Sequence, residues 1–126
     1  MRMEIIGVGT DIVAFDRMEK GARDPAFLAA VYTEAERREA ASRPVPLHYY
    51  ATRFAAKEAV YKCIGGDAPE IRLSDIEILS LPSGKPAVAL HGRCRELAAG
   101  LGIHRIHLSL SYEAGAAVAF AVAESL

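Results

Sequence analysis

The chain has 126 residues, of which 52% are hydrophobic and 25% are charged, and its formal net charge is −1. This size and composition predict a single compact domain over residues 1–126. The near-neutral charge argues against a broad nucleic-acid or membrane-binding surface, so a charged partner must be recognised by a local patch. No apolar run reaches the length of a membrane span and no signal-peptide core follows the start, so we expect a cytoplasmic protein.

The first predicted element is a strand over residues 4–13. Its alternation places Gly7, Gly9 and Asp11 on one face. Glycine weakens a strand unless another backbone or a ligand comes close, so this face predicts a close approach. Asp11 is then either a turn acid at the end of the strand or a functional carboxylate, and the segment alone favours neither interpretation.

A short helical stretch follows, in which Arg17, Lys20 and Arg23 recur every three residues as a basic stripe. Such a stripe is either a solvated face or a docking surface for an acidic partner. Residues 25–31 predict a second short helix. Thr33 and Glu36 have the spacing of a capping box that begins a third helix, which ends near Ser42.

The longest predicted helix covers residues 51–64, which contain neither Gly nor Pro, and it ends at Gly65 and Gly66. Phe54, Glu58 and Lys62 share one face of this helix, and Lys57 and Tyr61 form the neighbouring row. Glu58 and Lys62 could be a solvated ion pair. The aromatic residues beside them favour contact with protein or with a ligand instead.

The rest of the chain predicts a β-hairpin, a short helix and two further strands. Residues 76–81 and 87–90 flank a turn, residues 93–101 form the helix, and the strands meet at a turn over residues 113–115. His107, Ser109 and Ser111 share a strand face as solvent-facing polar residues rather than as a catalytic triad. Cys63 and Cys94 are expected to be buried free thiols. One antiparallel sheet packed against helices, an α+β fold, accounts for these elements.

Four segments together resemble one protein family. They are the strand that leads to Asp11, the helix motif from Arg53 to Lys62, the turn Gly84-Lys85-Pro86, and the strand segment Leu108-Ser109-Leu110-Ser111. In these segments the chain resembles the holo-acyl carrier protein synthases, the small single-domain type of 4'-phosphopantetheinyl transferase. The resemblance runs from Ile5 to about Ala123.

That resemblance implies an enzyme that moves the phosphopantetheine arm of coenzyme A to a serine of an apo acyl carrier protein and releases adenosine 3',5'-bisphosphate. It implies that Asp11 and Glu58 hold Mg²⁺, which suits a few carboxylates plus phosphate oxygens. By the same resemblance, Glu58 is the base for the serine hydroxyl, directly or through a metal-associated water, and Lys62 stabilises the transferring phosphate.

The resemblance also implies binding residues and an assembly. The expected assembly is a homotrimer with active sites between neighbouring subunits. The carrier protein is expected to contact Arg17, Lys20 and Arg23. Coenzyme A is expected to contact Arg53, Lys57, Lys62, Gly65, Lys85 and Ser109, with a structural role left open as the alternative for Arg53 and Lys57.

The chain departs from the family pattern at two places. Tyr112 stands where the family often has histidine, and the glycine-rich turn after the long helix is reduced to Gly65-Gly66-Asp67. These departures suggest a different carrier preference, such as a carrier of polyketide or specialised lipid synthesis rather than of fatty acid synthesis. Two alternatives stay open: a catalytically silent module that binds coenzyme A or a carrier protein, and a purely structural oligomerising domain.

Overall fold

The computed structural model describes residues 2–65 and 70–126 and has an α+β fold, as predicted. Its helices and strands, named in chain order, are β1 (Ile5–Ala14), α1 (Phe15–Met18), α2 (Pro25–Val31), α3 (Glu34–Ala41), α4 (Pro46–Ile64), β2 (Ile76–Ser80), β3 (Pro86–Leu90), α5 (Gly92–Gly100), β4 (Arg105–Glu113) and β5 (Ala116–Glu124). Short 3₁₀ turns cover Gly21–Arg23 and Leu73–Asp75.

The antiparallel strands form two sheets. A three-stranded antiparallel sheet has the order β1-β5-β4, and the predicted hairpin, β2 with β3, is a separate two-stranded sheet. The hairpin lies beside β4 without joining its ladder. The edge of β4 therefore faces the hairpin across a groove.

The long helix α4 begins at Pro46, five residues before the predicted start. Proline is tolerated at the first position of a helix because the missing N–H has no intrahelical acceptor there. The helix ends at Gly65, whose φ of 130° lies in the left-handed half of the map. The prediction for Gly66 and the loop through Pro69 falls outside the described residues.

Local signals correctly located α2 and α3, the two shorter helices that precede α4. The side chain of Asp24 accepts a hydrogen bond from the N–H of Ala26 and caps α2. At the start of α3 both bonds of the predicted capping box are present, because Thr33 and Glu36 each accept from the other's backbone N–H.

The core lies between α4 and the inner face of the three-stranded sheet. On β5 the small residues point inward and the large ones outward: Ala119 and Ala121 have no exposed surface, whereas Phe120 is 48% exposed. The facing surface of α4 is also made of alanines, including Ala55 and Ala59. Small side chains on both surfaces allow the helix and sheet to approach closely.

The closest approach is between β1 and α4, at the two glycines that the sequence singled out. A Cβ atom on Gly7 would lie 2.2 Å from the carbonyl oxygen of Cys63, and one on Gly9 would lie 2.0 Å from that of Ala59. Either distance is a severe overlap with backbone. The predicted close approach is therefore confirmed, and the partner is the backbone of α4.

Cys63 and Cys94 are buried free thiols, as predicted. Burial raises the pKa of each thiol to about 11. Both cysteines are therefore protonated at neutral pH and behave as small apolar residues. Among the described residues, no helix has the length and apolarity needed to cross a bilayer.

Gly9→Ala should lower the free energy of unfolding by roughly 1–3 kcal/mol, because its methyl group forces β1 away from the Ala59 carbonyl. Urea titration measures this loss. Gly100→Ala is the matched control: a Cβ atom there meets nothing within 4 Å, so stability should stay unchanged or rise slightly. Equal effects of the two substitutions would contradict the packing account.

Candidate active site

Asp11 and Glu58 approach each other where β1 crosses α4. Asp11 lies two residues after Gly9 on the face of β1 that packs against the helix. From the helix, Nζ of Lys62 donates a 2.8 Å hydrogen bond to the carbonyl of Thr10 and lies 3.4 Å from Oδ1 of Asp11. Two carboxylates and one ammonium group thus meet at a partly exposed surface.

Glu58 occupies an unfavourable place for a negative charge. Burial raises the pKa of Glu58, and the nearby charge of Asp11 raises it further, while Lys62 and Arg17 lower it. The net direction is upward. A carboxylate held beside a like charge suits proton transfer or cation binding, and raised carboxyl pKa values are common at functional sites.

Arg17 and Lys20 reach this region from the segment after β1. The guanidinium of Arg17 lies 6.0 Å from the ring centroid of Phe54, one helical turn before Glu58. Arg17 and Lys20 line a hollow whose apolar wall is Phe27 and Phe54.

Arg23 lies apart from them, so the prediction of one basic stripe was wrong. The helix α1 ends at Met18, and Arg23 lies in a separate 3₁₀ turn. Its side chain lines a different hollow, beside Pro46 and Leu47. The spacing of three residues puts side chains on one face only where a helix is continuous.

Lys57 has no surface from which to contact coenzyme A, so that prediction must be corrected. Its side chain is 0% exposed, and Nζ lies 2.8 Å from Oε1 of Glu36. The same nitrogen donates to the carbonyls of Leu73 and Ile76. Burial lowers the pKa of Lys57, against the attraction of Glu36. The structural role, which the sequence left open for Lys57, is the one observed.

Arg53 lies on another face of α4, in a hollow of its own. Its guanidinium lies 4.5 Å from the ring centroid of Tyr49 and donates a 3.0 Å hydrogen bond to Oγ of Ser80. The guanidinium of Arg43 lies 5.4 Å from the same ring. Within the described residues, Nε of Arg53 and the hydroxyl of Tyr49 are buried without a hydrogen-bond partner. Arg43 is itself paired with Glu39, and the unpaired donors of Arg53 and Tyr49 suit an anion.

The sequence did not group Arg43, His48 and Tyr112 with Arg53, although all four line this hollow. The rings of His48 and Phe15 stack with centroids 4.5 Å apart, and the ring of Tyr112 lies 5.8 Å from that of His48. A usable signal was present. With the helix extended back to Pro46, Tyr49 lies one turn before Arg53 and on the same face.

Lys85 and Ser109 line the groove between the hairpin and β4, together with Phe120 and Val122. Gly65 ends α4, and its N–H donates to the carbonyl of Lys62. The residues predicted to bind coenzyme A are therefore spread over several surfaces. Lys62 lies beside Asp11, Gly65 lies at the end of α4, Arg53 lies in its own hollow, and Lys85 and Ser109 lie in the groove.

Comparison with known proteins agrees with this fold. The model of the 4'-phosphopantetheinyl transferase superfamily matches residues 7–121. A holo-acyl-carrier-protein synthase of Leifsonia xyli is 41% identical over 121 residues, which are 95% of this chain and 97% of the relative. The chain belongs to this superfamily, as an enzyme of the holo-acyl-carrier-protein synthase type.

Solved structures support the same assignment. The acyl carrier protein synthase of Plasmodium yoelii with ADP bound is 32% identical, has a TM-score of 0.89 and covers 100% of this chain and 99% of its own. The Bacillus anthracis holo-acyl-carrier-protein synthase, in complex with coenzyme A (3',5'-ADP), is 34% identical and has a TM-score of 0.81. The match covers 99% of this chain and 100% of that structure's chain. The predicted family and fold are thus confirmed.

The raised pKa of Glu58 predicts a pH-dependent stability difference. Ionisation of Glu58 in the folded protein lowers the free energy of unfolding. This loss of stability is absent at a pH well below the ordinary pKa of glutamate, and it grows as the pH rises through the folded-state pKa of Glu58. Glu58→Gln should therefore match the parent at about pH 4 and exceed its Tm at about pH 8. Thermal melts test this, with exposed Glu96→Gln as the control that should show no such trend.

Proposed function

We propose that the chain transfers 4'-phosphopantetheine from coenzyme A to a serine of an apo acyl carrier protein, uses Mg²⁺ and releases adenosine 3',5'-bisphosphate. Membership of the family supports the transfer reaction in general. The observation that carries the finer proposal is the meeting of Asp11 and Glu58, from two elements far apart in sequence, with Lys62 beside them.

The two carboxylates fit a magnesium ion. No cluster of three or more His, Cys, Asp or Glu side chains suited to a metal occurs among the described residues. A pair of carboxylates is sufficient for Mg²⁺, which takes its other ligands from substrate phosphates and water. A cation between them would also relieve the repulsion that raises the pKa of Glu58. Bound there, Mg²⁺ would neutralise charge on the pyrophosphate under attack.

The residues of the chain would then divide the remaining work. Glu58 would accept the proton of the serine hydroxyl, directly or through a metal-associated water. Lys62, half exposed and held by the carbonyl of Thr10, presents a fixed positive charge to the transferring phosphate. Arg17 and Lys20 flank an apolar hollow beside Glu58 and would dock an acidic carrier protein. Arg23 would contact the carrier from its own hollow.

Coenzyme A would span more than one chain. Within one chain, Arg53 and the pair Lys85 and Ser109 lie in places distinct from the carboxylates. One subunit would supply Asp11, Glu58, Lys62 and Gly65, and its neighbour would supply the other contacts. The unpaired donors at Arg53 and Tyr49 suit a phosphate of the nucleotide.

The outer face of the three-stranded sheet supports the homotrimer that this arrangement requires. Neighbouring strands place apolar residues side by side there, with Val8 57%, Ile12 65% and Phe120 48% exposed. Val8 and Ile12 pair with Val122 and Val118, and such a cluster of exposed apolar residues is typical of a contact surface. A second and third copy of the chain are the occupants that we propose.

The second candidate is a catalytically silent module of the same fold that binds coenzyme A or a carrier protein. Tyr112 favours it, because it stands where the family often has histidine. Its ring lines the hollow of Arg53. In this case coenzyme A would bind, and no group would be transferred.

Intact-mass spectrometry of several apo carrier proteins separates these functions. With coenzyme A and Mg²⁺ present, the carrier should gain the mass of phosphopantetheine, and chelation of the metal should stop the reaction. Asp11→Ala and Glu58→Ala should each slow transfer by about 10²-fold or more, while Glu96→Ala should have no effect. Binding of coenzyme A without a mass gain on any carrier would favour the silent module.

Light scattering tests the proposed assembly. Phe120→Asp puts a charge in the centre of the apolar outer face, so the scattering mass should fall from that of three chains to that of one. Leu101→Asp, at a similarly exposed position at the end of α5, should leave the mass unchanged. A parent protein that scatters as a single chain would refute the trimer.

A further inference from the structure

Lys57, one residue before Glu58, belongs to a fully buried ion pair that joins three segments of the fold. Nζ of Lys57 lies 2.8 Å from Oε1 of Glu36 and donates to the carbonyls of Leu73, at 3.1 Å, and Ile76, at 2.6 Å. An ammonium group has three N–H donors, so all of them are used. The ring of Tyr32 lies 5.5 Å from the same nitrogen.

The carboxylate of Glu36 is equally well satisfied. Oε1 accepts from the N–H of Thr33, at the start of α3, and Oε2 accepts from the N–H of Ile78 in β2. The pair therefore holds α3, α4 and β2 together at defined atoms. Each of these hydrogen bonds has a preferred direction, so together they fix the rotation of α4 about its axis as well as its position along that axis.

The other contacts of α4 specify its rotation less tightly. Toward the three-stranded sheet the helix presents Ala55 and Ala59, and the sheet presents alanines such as Ala119 and Ala121. Contacts between such small side chains interlock weakly, so against β5 small rotations of the helix cost little packing energy, while the contacts with Gly7 and Gly9 limit its approach to β1. A buried polar network is a well-attested way to select one arrangement.

The rotation of α4 matters because the helix carries two residues of the proposed site. Glu58 follows Lys57 directly, and Lys62 must reach the carbonyl of Thr10 across 52 residues of sequence. A displacement of about 1 Å in a reacting group can slow catalysis by about 10²-fold. A small turn of the helix would therefore separate Glu58 and Lys62 from Asp11 without unfolding the protein.

We propose that Glu36 and Lys57 are positioning residues, whose buried pair aligns Glu58 and Lys62 with Asp11 while contributing little net stability. This inference rests on the proposed function for its catalytic consequence. Its structural part, the alignment of α4 with β1, does not depend on that function. Replacing a buried pair with uncharged residues often leaves stability unchanged, whereas removing one partner leaves an unpaired buried charge.

The test compares Lys57→Met with the double variant Glu36→Gln, Lys57→Met. The single variant should have a much lower Tm, because the carboxylate of Glu36 is left without its cation. The double variant should recover part of that loss in Tm, because no unpaired buried charge remains, while the new amide has only one oxygen for the N–H groups of Thr33 and Ile78. Its kcat for carrier modification, measured well below its Tm, should nevertheless stay about tenfold or more below the parent. Arg93→Met, which removes only exposed ion pairs, is the control that should change neither quantity.

A second readout needs no substrate. The NMR signals of the Thr10 and Asp11 amides and of the Asp11 carboxyl should shift in the double variant, since these groups lie on β1 and face α4. Arg93→Met should leave them unchanged. If the parent transfers nothing, the proposed function fails, and these signals still decide the alignment.

Three results would overturn the inference. The first is recovery of kcat together with Tm in the double variant, since activity would then follow stability alone. The second is failure of the double variant to regain Tm, which would make the pair a net stabiliser. The third is that the NMR signals of Thr10 and Asp11 in the double variant match those of the parent.

Discussion

The contact on which the rest of the structure depends is the close packing of β1 against α4 at Gly7 and Gly9. At both positions the space of a side chain is filled by a carbonyl group of the helix. This distance lets the ammonium group of Lys62 reach the carbonyl of Thr10, and it sets Asp11 close enough to Glu58 to raise its pKa. The alanines of β5 extend the same close packing across the sheet.

Neighbouring residues of α4 have opposite roles because a helix turns about 100° per residue. Lys57 points into the core, where Glu36 and two backbone carbonyls satisfy its charge. Glu58 points toward β1, where Asp11 repels it and Lys62 and Arg17 attract it. The pair of Lys57 and Glu36 is buried with its hydrogen bonds made, whereas Glu58 is left with a charge that a ligand could balance. This contrast is what distinguishes a structural ion pair from a candidate catalytic one here.

The distribution of side-chain sizes on β5 has two consequences. Alanines on the inner face allow α4 to approach, and the larger Val118 and Phe120 are left on the outer face at 39% and 48% exposure. The same alternation therefore supports both the carboxylate pair and the proposed contact between subunits. It also connects the two proposals, because the groups proposed to bind the nucleotide lie apart in one chain, and the proposed neighbour would complete the site.

Much of the fold could be read from the sequence, because caps, turns and alternation depend on neighbouring residues. Such signals located α2, the capping box of α3, the hairpin and the close approach at Gly7 and Gly9. The helix motif together with the strand of Asp11 also identified the family. Only the tertiary structure showed that Lys57 is buried, that Arg23 lies apart from Arg17, and that Arg53 shares a hollow with Arg43 and Tyr112. Helical spacing shows which residues share a face. What lies opposite that face depends on contacts between distant segments, such as the bond from Lys62 to Thr10 across 52 residues.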